Sequence, residues 1–181
     1  MTGARRWGLL LLTLAALAQP AKAASDKFYV PPTQFSGHYQ ITAAKDGEKP
    51  ADSVSGAFRG GTGSFAYDAE EKNLNRLRFA IDANRSPFAM DYYPEITFVA
   101  ASAKFSEGKA EVKGTLTIHG VSHPTRFDAT LNPIDGDNEK SVSLSLRGDF
   151  KLADFGLSGD ASLSRLGESA TLLLDVQAIK Q

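Results

Sequence analysis

Apolar and polar residues alternate one by one along most of this chain, and very few backbone forms can use such a pattern. In Lys109–His119 the even positions are Ala110, Val112, Gly114, Leu116 and Ile118, while the odd ones are Lys109, Glu111, Lys113, Thr115, Thr117 and His119. Successive side chains of a strand point to opposite faces, so this segment has one dry and one wet face as a strand; wound as a helix it has neither. The pattern returns in Leu77/Phe79/Ile81, Thr125/Phe127/Ala129/Leu131, Val142/Leu144/Leu146 and Leu172/Leu174/Val176, with Arg, Asp, Ser, Thr and Gln between them. That phase turns Leu144, Leu146, Leu172 and Leu174 inward. Short polar connections separate the runs at Asp68–Asn73, Ser106–Gly108 and Asp135–Asn138, as hairpins require. About eight such strands can stack as a sandwich or close into a barrel, and closure alone removes exposed edges. The expected fold is all-β: an eight-stranded antiparallel up-and-down barrel with little helix.

The N-terminus reads differently. Arg5 and Arg6 precede an apolar run from Trp7 to Ala18. A bilayer span takes roughly 20 apolar residues, more than this run supplies. Ala21-Lys22-Ala23 follows, with the small-x-small pattern of a signal-peptidase site. Residues 1–23 are therefore expected to be a cleaved signal peptide, and residues 24–181 one mature domain exported to the periplasm. There is no cysteine, hence no lipoprotein anchor, disulfide or thiolate site. Of 20 basic and 21 acidic residues, Arg5, Arg6 and Lys22 lie in the leader, which leaves the mature chain with 17 against 21, a net −4. Scattered, mildly acidic charge gives no reason to seek nucleic acid or an anionic membrane surface, and no stable membrane insertion is expected.

Few residues suggest chemistry. His119 and His123 flank one turn without an adjacent acidic or thiol ligand, so no metal site is expected. Ser122, His123 and Asp128 are the types of a hydrolytic triad, but no nucleophile elbow accompanies them. Gly60-Gly61-Thr62-Gly63 runs on into the alternation of Phe65 and Tyr67 instead of opening a helix. It reads as a glycine-kinked hairpin and not as a phosphate loop. With no carboxylate or histidine assigned to an inward position, no catalytic residue is expected, and the chain reads as a non-enzyme. Phe88, Met90, Tyr92 and Tyr93, between Pro87 and Pro94, are either packing over one barrel end or a pocket mouth. Small inward residues (Gly56, Gly63, Ala110, Gly114, Ala129) point to a cavity.

Three stretches carry a resemblance. Gly56–Asp68 holds a Gly-x-Phe element followed by Gly63, Phe65, Tyr67 and Asp68. Tyr93–Phe98 and Gly114–Pro124 hold Pro94, Phe98 and the Gly-Thr-Leu-Thr-Ile run that leads through Gly120-Val121 to Pro124. Phe150–Leu157 holds Asp154-Phe155-Gly156. In this order they resemble the YceI family of secreted bacterial proteins. The segment before Pro94 is shorter than is usual in that family. The resemblance implies a lipocalin-like barrel that holds a polyisoprenoid, an isoprenoid quinone or a fatty acyl chain, with no other cofactor. The inward residues that would line it are Phe58, Phe65, Phe79, Phe98, Leu116, Phe127, Leu144, Leu146, Leu172 and Leu174. The alternative is a ligand-free periplasmic stress or scaffold protein with a filled core that acts through its loops. A homodimer is compatible with either. Locally, Gly120 is expected at positive φ between two strands, and Pro124 where no ladder hydrogen bond is donated, at a strand start or an edge.

The leader makes a direct prediction: N-terminal sequencing of protein from the periplasmic fraction begins at Ala24, whereas an intact Arg5–Ala18 segment recovered with membranes excludes cleavage.

Overall fold

Two tight turns show the backbone that hairpins of right-twisted strands need. Glu107 and Gly108 have φ of 51° and 74°, and His119 and Gly120 have φ of 54° and 75°. Positive φ at both central positions is the I′ geometry, which matches the twist of the flanking strands. In the computed structural model, which describes residues 25–42, 53–88, 94–133, 141–157 and 168–181, these turns join three of ten strands. The strands are β1 (Asp26–Val30), β2 (Phe35–Thr42), β3 (Ser53–Ala57), β4 (Gly61–Asp68), β5 (Asn73–Asp82), β6 (Glu95–Lys104), β7 (Lys109–Ile118), β8 (Val121–Pro133), β9 (Ser141–Lys151) and β10 (Ser169–Lys180). The leader 1–23 and the Asp135–Asn138 turn lie outside the described residues.

Ten strands make eight walls. β1 and β2 are two halves of one bent strand: both are antiparallel to β10, at Phe28–Lys180 and Tyr29–Ile179 for β1 and from Phe35–Val176 to Thr42–Ser169 for β2. From Tyr29 to Phe35 the chain advances six residues while β10 advances three, so the 3₁₀ turn Pro32–Gln34 is a bulge of three residues. β3 and β4 form the next wall in the same way, pairing with β2 and β1 respectively. The Gly60-Gly61 segment is thus a kink inside one wall and not the hairpin that the sequence suggested, because its two arms pair with different neighbours instead of with each other. From there β4 to β10 pair in sequence order, all antiparallel, and β1 meets β10. The eight-stranded up-and-down barrel is closed.

One irregularity crosses three adjacent walls. Arg76 takes φ of 52°, and the β4–β5 register shifts between Ser64 and Ala66. Around this bulge the inward phase changes: Phe65 and Ala66 are both buried, as are Leu74 and Leu77, and Ala100 and Ala103. An extra residue in one strand bends the sheet and reverses which parity faces in. On either side of the bulge the alternation is clean, and Leu144, Leu146, Leu172 and Leu174 face the core with Ser143, Ser145 and Thr171 outside them.

The walls β8 and β9 part at one end. Their register pairs run from Asp128–Arg147 to Pro133–Val142, whereas β7 holds β8 from Val121 and β10 holds β9 up to Lys151. Among the described residues, the β9-facing edge of Val121–Phe127 therefore carries no ladder. Pro124 sits on this open edge, where its missing N–H costs nothing and discourages foreign strands.

Inside, glycines and rings fit together. A Cβ placed on Gly63 runs into the Phe79 ring, one on Gly114 meets the Val99 carbonyl at 2.5 Å and the Phe98 ring at 2.7 Å, and one on Gly148 meets Phe127 at 2.6 Å. Gly56 lies likewise under Tyr39. The sequence suggested that the inward glycines open a cavity, but they open none of their own; the next wall's ring fills the vacated volume and lies along the barrel surface. Gly63→Ala is expected to destabilise by about 1–3 kcal/mol through overpacking against Phe79. Gly60→Ala, with nothing within 4 Å of the new methyl, serves as control; equal denaturant midpoints for the two variants would show that the ring does not depend on the glycine.

Candidate functional site

Among the described residues the barrel interior gathers the buried apolar side chains into one core. Phe58 precedes β4, Phe65 lies on it, Phe79 on β5 and Phe98 on β6. Leu116 lies on β7, Phe127 on β8, Leu144 and Leu146 on β9, and Leu172 and Leu174 on β10; all ten are buried. Full burial of such a side chain contributes about 1.5–3 kcal/mol. Phe98 and Phe127 face each other across β7 with ring centroids 4.4 Å apart, and Phe28 stacks on Phe65 at 5.3 Å.

At the end where β5 runs out and β6 begins, a second aromatic group closes the interior. Phe88, from the segment after β5, is fully buried. Its ring lies 5.4 Å from Tyr39, 6.3 Å from Phe58 and 6.2 Å from Phe150, and Phe150 meets Phe155 at 5.3 Å. Local bonds aim it there: Ser86 donates its hydroxyl to the Ala83 carbonyl at 2.6 Å and accepts the Phe88 amide at 3.2 Å. From the β7–β8 turn, His119 Nε2 donates to the Phe88 carbonyl at 2.6 Å. This clamp was not read from the sequence, since it joins residues 31 apart that share no motif. The other three members of the mouth cluster, Met90, Tyr92 and Tyr93, lie outside the described residues.

Two ionisable groups occupy inward positions that the sequence phase had left apolar. Asp68 is buried because the bulge turns Ala66 and Asp68 inward; its Oδ1 accepts the amides of Glu70 and Glu71 at 3.1 and 3.0 Å, which fixes the β4–β5 turn. Burial, reinforced by the Asp68 charge next to it, raises the Tyr67 phenol above its ordinary 10.0. The second group is His123. It pairs with Leu116 and alternates with Thr125 and Phe127, so it belongs to the inner face; extending the Thr125/Phe127 phase back by two residues would have found it. Its Nδ1 donates to the Pro124 carbonyl at 3.0 Å and lies 4.0 Å from Asp154 Oδ2, with the Phe155 ring 5.9 Å away.

The sequence's candidate reactive groups are not brought together. Ser122 bonds Thr117 at 2.8 Å on the outer face while His123 faces in, so Ser122, His123 and Asp128 form no relay. His119 and His123 serve different partners. Among the described residues no group of three or more His, Asp or Glu could hold a metal ion.

The comparisons with known proteins agree on one assignment. A model of the YceI-like domain matches residues 34–178. The chain belongs to the YceI family. Proteins called YceI from Salmonella arizonae and Salmonella newport are 24% identical over 144 residues, which is 70% of this chain and 74% of theirs. The YCEI protein of Campylobacter jejuni superposes with a TM-score of 0.62 at 24% identity, covering 77% of this chain and 92% of that one. BcnA of Burkholderia cenocepacia gives 0.61 at 17% identity, covering 78% and 95%. At these identities the structures establish a shared fold. All ten interior residues named above, and Phe88, fall inside the YceI-like match.

Phe88→Ala is expected to cost about 3–5 kcal/mol, the range for removing a buried ring, read from denaturant unfolding; a loss below 1 kcal/mol would mean that the ring is not part of the packed end.

Proposed function

We propose that this YceI-family chain is an exported, periplasmic carrier of a long apolar lipid, a prenyl chain, an isoprenoid quinone or a fatty acyl group, held inside the barrel. The observation that carries this reading is the composition of the inner wall. Among the described residues the buried polar side chains are Asp68 and Thr125. Asp68 is spent on its turn, Thr125 sits at the parted walls and the buried Tyr39 phenol packs with Phe58 and Phe88 at the closed end, so the middle of the interior offers a guest hydrocarbon alone. Burial contributes about 0.8 kcal/mol per CH₂, so a long chain needs no strong polar anchor. Among the described residues no helix is long and apolar enough to cross a membrane. In this reading the ten wall residues contact the lipid.

A specific observation favours the second reading, a filled barrel acting as a scaffold. Rings cover the inward glycines, and Phe88 is buried at one end. The two readings part on one measurement. Native mass spectrometry of the purified chain, followed by solvent extraction, releases a lipid if it is a carrier and nothing if it is a scaffold. Leu116→Trp sharpens the choice. In a carrier the ring takes ligand volume, so uptake of a fluorescent prenyl analogue falls while the melt stays near wild type. In a filled core it overpacks at about 1–3 kcal/mol. A lowered melt, with no uptake even by the wild type, overturns the carrier.

A further inference from the structure

The gap between β8 and β9 is a cleft in the wall. Gly114, His123, Thr125 and Phe150 hold inner-face register, and Lys113, Pro124, Arg126 and Asp149 alternate with them on the outer face. Both sets border one hollow of about 500 Å³ that opens to solvent. Only where neighbouring strands fail to pair can side chains of both faces line the same space. The floor is Phe150, buried and in the same aromatic group as Phe88 and Phe155, so the hollow reaches the end of the interior. The 3₁₀ turn Leu152–Phe155 lies beside it and presents Asp154 to the opening.

Resting on the carrier reading, we infer that this gap seats the polar head of the bound chain, and that the head it accepts is uncharged and hydrogen-bonding, an alcohol or a carbonyl. Charge decides the class. The two cations at the hollow are engaged: Lys113 Nζ lies 3.2 Å and Arg126 Nη1 3.8 Å from the carboxylate of Glu111. The two carboxylates that face the same space are engaged as well, Asp149 at 4.0 Å from Arg147 and Asp154 at 4.0 Å from His123, so no charge at the hollow stands without a partner. A phosphate or carboxylate head placed there meets two like charges and finds its cations already paired, a juxtaposition that costs affinity. An alcohol or carbonyl brings no charge to this set: the Thr125 oxygen, whose proton goes to the His123 carbonyl at 3.2 Å, and the second His123 nitrogen can accept from a hydroxyl, and the Lys113 ammonium can donate to a carbonyl. The tail then runs past Phe150 toward the apolar wall.

The test is competition on the full mature chain against one fluorescent prenyl probe, with geranylgeraniol and geranylgeranyl diphosphate as competitors. The alcohol is expected to displace the probe at roughly tenfold lower concentration or better, and the joint change Asp149→Asn with Asp154→Asn to narrow that gap severalfold by admitting the diphosphate. A diphosphate that competes as well as the alcohol overturns the inference, as does a gap that the double variant leaves unmoved. Should the double variant not fold, a prenyl chain with a diazirine at its head decides on the wild type. Cross-links in 113–126 and 149–154 support the site, and cross-links at the opposite barrel end, around Phe105 or Leu131, overturn it. Failure of every prenyl ligand to bind the wild type is a different result: it defeats the carrier reading and this inference with it.

Discussion

Strand β10 lies between β9 on one edge and the bent pair β1 and β2 on the other. Its amides and carbonyls are satisfied on both sides along nearly its whole length, which turns an open sheet into a tube. Every apolar face in the chain depends on that closure. A flat meander of these strands would leave its inner face wet and two edges free to pair with other chains. The tube also dictates the bulges. The three-residue insertion at Pro32–Gln34 and the Arg76 bulge bend the walls, and bending lets eight short strands curve through a full turn.

Within the tube, glycine and aromatic residues work as pairs across walls. Phe79 on Gly63, Phe98 near Gly114 and Phe127 on Gly148 each lay a flat ring over bare backbone. The arrangement puts much apolar area against the wall without long side chains reaching for the axis. The end near Phe88 is closed differently, by rings delivered from a loop and a 3₁₀ turn and held by the His119 hydrogen bond. There two strand-borne rings, Tyr39 and Phe150, meet rings that belong to no strand, Phe58, Phe88 and Phe155.

The legibility of the sequence follows the range of the interactions. The alternation in β7, β8, β9 and β10 is a property of neighbouring residues, so the inward positions of Leu116, Phe127, Leu144 and Leu172 were readable directly. The Gly120 turn was readable for the same reason. The Arg76 bulge was not, because its signature is one residue in a positive-φ conformation inside an otherwise regular run, and its effect appears three walls wide. Nor could the sequence show that Gly60-Gly61 bends one wall, because a kink and a hairpin use the same residues and differ only in which strand each arm meets. His123 lay within reach of the pattern, but the parting of β8 from β9 gives that position its exposure, and alternation does not mark where two neighbouring strands stop pairing.

Barrel closure also fixes an order of events. Tyr29 pairs with Ile179, 150 positions along the chain, and β2 pairs with β10 at nearly as long a range. The hairpins from β4 to β9 can form locally as the chain emerges, but the seam that makes them a barrel must wait for the last strand. Loop-closure entropy opposes such contacts, and chains dominated by them fold slowly. Until β10 arrives, β9 and β2 each present an unpaired edge, which is the state most open to mispairing. Loss of a dozen C-terminal residues would therefore do more than shorten the protein: it would hold every molecule permanently at that stage.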